Sequence, residues 1–386
     1  MTFTLPATAA AVPQALEGVG NKLGIVTEAN TNDMLVTWVD ASNMVHAQEF
    51  DIYGQAKGQD IGLEQVMGTA FATSAFVPGA TTADDVYLVA WTSPGGVKTM
   101  ALKPGNLAMG PVAIHCGGGA NKVAMANLGG SDVGLAWKSG STLTLATDRW
   151  TGTGVQKLGQ FAPCGLNAGD FAVAGVSGEM LVAWSDNNAM WARRVGTGSS
   201  GNFTNEGASF QVKSYPSGIT STFVSNPVAA YDGPHQQFLV GWSSATSDGG
   251  SPTVYGTQVQ QIVPATGNTL ASGTFAFTVN KTQQLQQTSL GFTKARNEFV
   301  LGWADDTNRV LQLQRLIPSQ ATQPAEATVI RGPERPVQRV LLGVGSDVPA
   351  ALAFAYNGGS QSYRTLWIMS TMLTGFGALT LGEYKP

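Results

Sequence analysis

The sequence predicts an all-β chain made of seven copies of one four-stranded unit, and two observations predict it. The first is a strand motif in which small or apolar residues run into an aromatic that is usually followed within two positions by Ser, Thr or Asp. Its copies are MLVTW ending at Trp38, YLVAW at Trp91, VGLAW at Trp137, MLVAW at Trp184, FLVGW at Trp242, FVLGW at Trp303 and a weaker AALAF at Phe354. Their spacings of 53, 46, 47, 58, 61 and 51 residues fill the 386-residue chain as one domain, 1–386. Residues 1–20 stand ahead of the first copy as an amino-terminal arm or closure strand. The second observation is compositional. Charged residues make up 12 %, glycine contributes 48 positions and 43 % of the chain is hydrophobic, so the chain has apolar material for a large core and many turns.

The elements of a unit follow in order. A first strand precedes the motif, as in KLGIVTEA from Lys22, FAVAGV from Phe171, NPVAAY from Asn226 and RVLLGV from Arg339. The motif itself is a nearly continuous apolar run, the pattern of a strand buried on both faces. A turn such as ASN, SPGG, KSGS, SDNN or ADDTN follows, rich in residues that tolerate turn geometry. The third strand comes next. A fourth closes the unit, as in GPVAIHC, GASFQVK, GTFAFTV, EATVIRG and, for the seventh unit, GALTLGE.

Seven four-stranded units of this length resemble a seven-bladed β-propeller, with four antiparallel strands per blade and each blade covered by its neighbours. The Trp-Asp pairs of WD repeats, integrin-type calcium loops and repeated Asp-boxes do not recur. The chain is instead similar to bacterial extracellular propellers that carry a hydrophobic-x-Trp-Ser/Asp strand in each blade, some of them lectin-like. That resemblance implies packing, and a recognition role as an expectation, but it transfers no binding residues.

Several function classes find no support. A net charge of −4, with no basic cluster beyond Arg193-Arg194, gives no footprint for nucleic acid, and no apolar run is long enough for a membrane span. The three histidines, at 46, 115 and 235, match no metal-site spacing, so neither metal nor cofactor is expected. His115 and Cys116 are adjacent in one strand and point to opposite faces, which argues against a thiolate–imidazole pair. Cys116 and Cys164 end equivalent fourth strands on neighbouring units. At that radius they stand on the order of 12 Å apart, beyond the ~7 Å reach of a disulfide, so two free thiols are expected. Asp40, Asp186 and Asp305 each follow the core aromatic by two positions, where a carboxylate caps the turn. No catalytic set is assigned.

The candidate binding column lies in the third strand and reads His46, Lys98, Thr144, Trp191, Tyr255, Leu311 and Trp367. Aromatic rings there can stack on the apolar faces of sugars, and Arg193, one strand alternation from Trp191, can bond hydroxyls or carboxylates. Packing is the competing account of the same column, because both faces of such a strand are partly buried. Trp150, in the TDRWTG turn, is read as an isolated and exposed aromatic. The candidate ligand-binding residues are therefore Trp191, Arg193, Tyr255, Trp367 and Trp150.

Three functions follow from this pattern. The first is a non-enzymatic recognition or adhesion module for a glycan or cell-surface receptor. The second is a structural component of a phage virion or other extracellular assembly, docking other subunits or further copies of the chain through the amino-terminal arm and the long loops SSATSDGGSPTV and RLIPSQATQPAEAT. The third is a carbohydrate-active enzyme, which requires carboxylates converging at a channel mouth. The low-charge, Gly/Ser/Thr-rich surface style suits an extracellular or virion location. MTFTLPATAAAVPQALEG lacks the basic and apolar regions of a secretory signal, and a Met at residue 1 favours the particle-borne alternative.

Overall fold

A computed structural model describes the backbone from Gly24 to Thr380 and side chains as far as Gln320, with breaks mainly in connecting segments. The predicted arm 1–20, Cys116 and Cys164 lie outside the described residues. No described helix is long and apolar enough to cross a membrane.

Among the described residues, the strands group into seven sheets met in chain order. The first holds β1 (Gly24–Thr27), β2 (Met34–Val39), β3 (Met44–Phe50) and β4 (Ala56–Gln65). The second holds β5 (Ala72–Val77), β6 (Val86–Ser93), β7 (Gly96–Leu102) and β8 (Ala113–His115). The third holds β9 (Ala120–Asn127), β10 (Asp132–Ser139), β11 (Thr142–Trp150) and β12 (Val155–Phe161). The fourth holds β13 (Phe171–Val176), β14 (Glu179–Asp186) and β15 (Ala189–Thr197), with β16 (Phe203–Glu206) and β17 (Phe210–Ser214) both pairing β15.

The fifth sheet has the longest strands, β18 (Ser221–Asp232), β19 (Gln237–Ser247), β20 (Val254–Pro264) and β21 (Leu270–Lys281). The sixth holds β22 (Thr288–Thr293), β23 (Glu298–Asp305), β24 (Val310–Leu316) and β25 (Thr328–Arg331). The seventh holds β26 (Val337–Gly343), β27 (Ala350–Asn357) and β28 (Tyr363–Ser370). Within each sheet consecutive strands pair antiparallel, as short turns require, except that β16 and β17 both pair β15.

The first strands neighbour one another in a circle. β1 packs beside β5, followed by β9, β13, β18, β22 and β26, and β26 returns to β1. Five of the core Trp residues then fill the gap to the preceding sheet. Trp91 packs with Leu35 and Val45 of the first sheet, Trp137 with Ala90 and Val97 of the second, and Trp184 with Leu143 and Leu145 of the third. Trp242 packs with Ala183 and Met190 of the fourth, and Trp303 with Leu239 and Val259 of the fifth. Small residues let the strands approach: at Gly175 an added Cβ would lie 2.0 Å from the carbonyl oxygen of Asn127 in the neighbouring sheet.

One strand assignment needs correction. GALTLGE was expected to close the seventh unit, but β29 (Leu379–Thr380) pairs in parallel with β25 of the sixth sheet, through Ile330↔Leu379 and Arg331↔Thr380. The outer edge of β25 offers unpaired backbone groups, and a returning strand satisfies them there.

Candidate functional site

The third and fourth sheets face each other with two register-matched rows. On the fourth sheet Phe171 pairs Trp184, and Trp184 pairs Trp191, so strand pairing places three aromatics side by side. Phe171 and Trp184 are buried, whereas Trp191 is half-buried and stacks on Trp184 with ring centroids 6.4 Å apart and planes 12° from parallel. On the third sheet Lys122 pairs Lys138, and Lys138 pairs Leu143. Leu143 packs in the same cluster as Trp184 and Trp191. The Lys122 ammonium lies 5.1 Å over the Phe171 ring and forms an ion pair with Asp170, while the Lys138 ammonium donates to the Gly169 carbonyl. Two positions along β15 from Trp191, the Arg193 Nε donates to the Gly207 carbonyl at 2.7 Å.

The first, second, third, fifth and sixth sheets carry polar groups at the position opposite the core aromatic. His46 stacks on Trp38 with centroids 5.1 Å apart, its Nδ1 3.0 Å from Asp60 and its Nε2 3.2 Å from Asp40. Asp40 caps its turn as the sequence predicts, accepting the Met44 N–H at 2.7 Å. Burial raises the Asp40 pKa, but hydrogen bonds from Met44, Ser42 and His46 outweigh it and hold the group below the ordinary aspartate value. Lys98 stands opposite Trp91, and Glu64 of the first sheet accepts from both.

The register changes three members of the predicted column. Opposite Trp242, Trp303 and Phe354 stand Gln258, Gln312 and Leu366, in place of Tyr255, Leu311 and Trp367. Tyr255 instead pairs Ala245, and Trp367 pairs Ala353, so both are odd numbers of residues out of the column. The cause lies in the hairpins. β19 continues to Ser247 before turning, so counting from the aromatic lands short of the true partner. Trp150 is also corrected: it is 7 % exposed and packs with Ala75, Val77 and Leu88, with the Lys103 ammonium over its ring. It ends β11 beside the second sheet, where an indole is covered. Trp191 and Arg193 are the predicted pair that the fold brings onto one face.

Sequence reasoning missed two buried polar clusters, because their members come from separate strands. Carboxylate oxygens of Glu28, Asp33 and Glu49 lie within 4.8 Å of one another. Lys57 bonds Asp33 at 2.5 Å and lies 3.8 Å from Glu49, which also accepts from Tyr87 at 3.1 Å and from the Gly105 N–H at 2.7 Å. Burial pushes the Glu28 and Glu49 carboxyls above the ordinary glutamate value and raises the Tyr87 phenol. The Lys57 ammonium supplies positive charge to this group, which joins the first and second sheets. Between the second and third sheets, buried Asp148 accepts from Thr99 at 2.9 Å and lies 3.0 Å from the His115 Nε2.

No family model and no curated protein matches the chain. Solved structures do. An α-L-arabinanase from Penicillium chrysogenum, solved with arabinobiose, is 11 % identical, with 94 % of this chain and 95 % of that chain covered at a TM-score of 0.51. The polysaccharide lyase Uly1 is 8 % identical over 93 % of this chain and 91 % of its own, at 0.52. The Nup133 β-propeller domain of Vanderwaltozyma polyspora is 10 % identical over 93 % of this chain and 97 % of its own, at 0.50. At such identities the likeness concerns the fold alone, and together with the circle of antiparallel sheets it makes this chain a β-propeller.

Proposed function

We propose that the chain is a seven-bladed propeller that recognises glycans at a cell or particle surface and does not turn them over. Seven sheets in a circle of neighbouring first strands support the blade number. The observation that carries the recognition role is Trp191: a half-buried indole held by stacking on Trp184, with the Arg193 guanidinium on the same face. A ring fixed in this way offers an apolar surface to sugar C–H groups at little entropic cost, and a guanidinium beside it offers directed donors. The buried Glu28, Asp33 and Glu49 carboxylates are engaged with Lys57, Tyr87 and Gly105, an arrangement that suits a fastening between sheets better than acid–base work on a polysaccharide. A glycan array on the purified protein and its Trp191→Ala variant tests the proposal. Binding that Trp191→Ala abolishes is expected. Binding indifferent to Trp191, or no binding to any glycan, overturns it.

A second reading, docking in a larger assembly, is favoured by Met109, Val112 and Ile114, apolar side chains 59, 45 and 52 % exposed around β8. Sedimentation of the protein with Ile114→Lys alongside tests it: self-association lost in the variant supports docking, and a monomer at all concentrations removes it.

A further inference from the structure

We infer that the glycan taken up between the third and fourth sheets is anionic, its carboxylate or sulfate received by Lys138 and Lys122. This rests on the glycan-recognition proposal and specifies its ligand class. The motif aromatic is followed by Val39, Thr92, Ser185, Ser243, Ala304 and Ala355 in six repeats, and by Lys138 in the third. The register sets that lysine directly beside Lys122 on the neighbouring strand. Like charges in cross-strand contact destabilise a sheet, so the pair is costly by itself.

The nearby acids do not account for both cations. Asp170 forms an ion pair with Lys122, and among the described residues Lys138 reaches the Gly169 carbonyl and no carboxylate. Asp186 lies two positions beyond Trp184 on the same strand face, and Arg193 two positions along β15 from Trp191.

The lysines are not needed to fasten the 168–170 segment that they touch. Its own backbone does so: Ala168 N–H donates to Ser141 at 3.2 Å, Gly169 N–H to the Ser185 carbonyl at 2.7 Å, and Ser185 N–H to Asp170 at 2.9 Å. The Ser185 hydroxyl accepts the Asp170 N–H at 3.0 Å. A ligand anion gives Lys138 the charged partner that the chain does not, while the adjoining indole takes the sugar ring.

The experiment is an array that pairs neutral oligosaccharides with their uronate and sulfated counterparts, probed with the wild-type chain, Lys138→Met and Trp191→Ala. The anionic member of a pair is expected to bind at least about tenfold tighter, as loss of a charge-assisted hydrogen bond would predict. Lys138→Met should bring the pair to parity while Trp191→Ala loses both members. Preference for the uronate or for the sulfated chain identifies which anion is read. A salt titration of the wild type serves if Lys138→Met does not fold: affinity for the anionic member should fall steeply with salt and that for the neutral member should not. Equal affinity within pairs, or an anionic preference untouched by Lys138→Met or by salt, overturns the inference and leaves glycan recognition standing. Absence of binding to any glycan overturns both.

Discussion

The carboxylate of Glu64, on the outer strand of the first sheet, accepts the indole N–H of Trp91 from the second sheet at 2.7 Å. Its other oxygen takes the Lys98 ammonium at 2.6 Å, so one side chain fastens two sheets. Between the fourth and fifth sheets the Tyr215 hydroxyl does the same for Trp242 at 3.0 Å. Among the described residues Trp303 has no such partner, and its buried indole N–H is unsatisfied. Trp91→Phe and Trp303→Phe should therefore differ although they remove the same atoms. The first breaks the indole's hydrogen bond to the Glu64 carboxylate, which keeps Lys98, and should cost about 2 kcal/mol more than the second, which deletes an unpaired donor. Urea unfolding of the two variants measures the difference, and equal losses would deny the indole bond a role in stability.

Close approach of the sheets gives a second outcome. Gly175→Ala puts a methyl group against the backbone carbonyl of Asn127, an atom that cannot rotate away. A loss of about 3 kcal/mol is expected, the upper range for overpacking. Thermal unfolding close to that of the wild type would mean that the third and fourth sheets separate more readily than their packing implies.

Much of this was legible in the sequence, for reasons that particular residues make plain. Trp91, Trp137, Trp184, Trp242 and Trp303 each end a short apolar run and each fill an inter-sheet gap, so a local pattern carried a tertiary fact. The third-strand column was legible where the hairpin is tight, at His46, Lys98, Thr144 and Trp191. It was lost at Tyr255 and Trp367, since a longer hairpin shifts register without altering composition. Contacts between strands remote in sequence, such as Glu49 with Tyr87 or Lys122 with Asp170, leave no local signature at all.

The Glu28 and Glu49 carboxyls give the first sheet a pH dependence of definite sign. Burial holds both above the ordinary glutamate value, so the folded chain binds protons more readily than the unfolded one. The stabilisation from protonating them is present below the unfolded value and is lost as pH rises through the raised folded values. Glu28→Gln keeps an oxygen for the Thr31 hydroxyl and removes the charge facing Asp33, Asp85 and Glu49. The variant should melt higher than the wild type at neutral pH, with the gap closing towards pH ~4. A constant gap across that range would show that charge at Glu28 has no part in it.

Register also separates residues that composition treats alike. Trp191 pairs Trp184 and so shares its face, whereas Trp367 pairs Ala353 and is one residue removed from the position opposite Phe354. Tyr255 pairs Ala245 and stands three residues from Gln258, the partner of Trp242. Side chains alternate along a strand, so an odd displacement carries a residue to the other sheet face. Trp191→Ala is therefore expected to abolish glycan binding, while Trp367→Ala and Tyr255→Ala leave it within about twofold, the size of an indirect effect. Titration of a glycan found on the array against the three variants checks this. Loss of binding in Trp367→Ala with Trp191→Ala unaffected would move the recognition surface to the seventh sheet and remove the third-to-fourth gap from consideration.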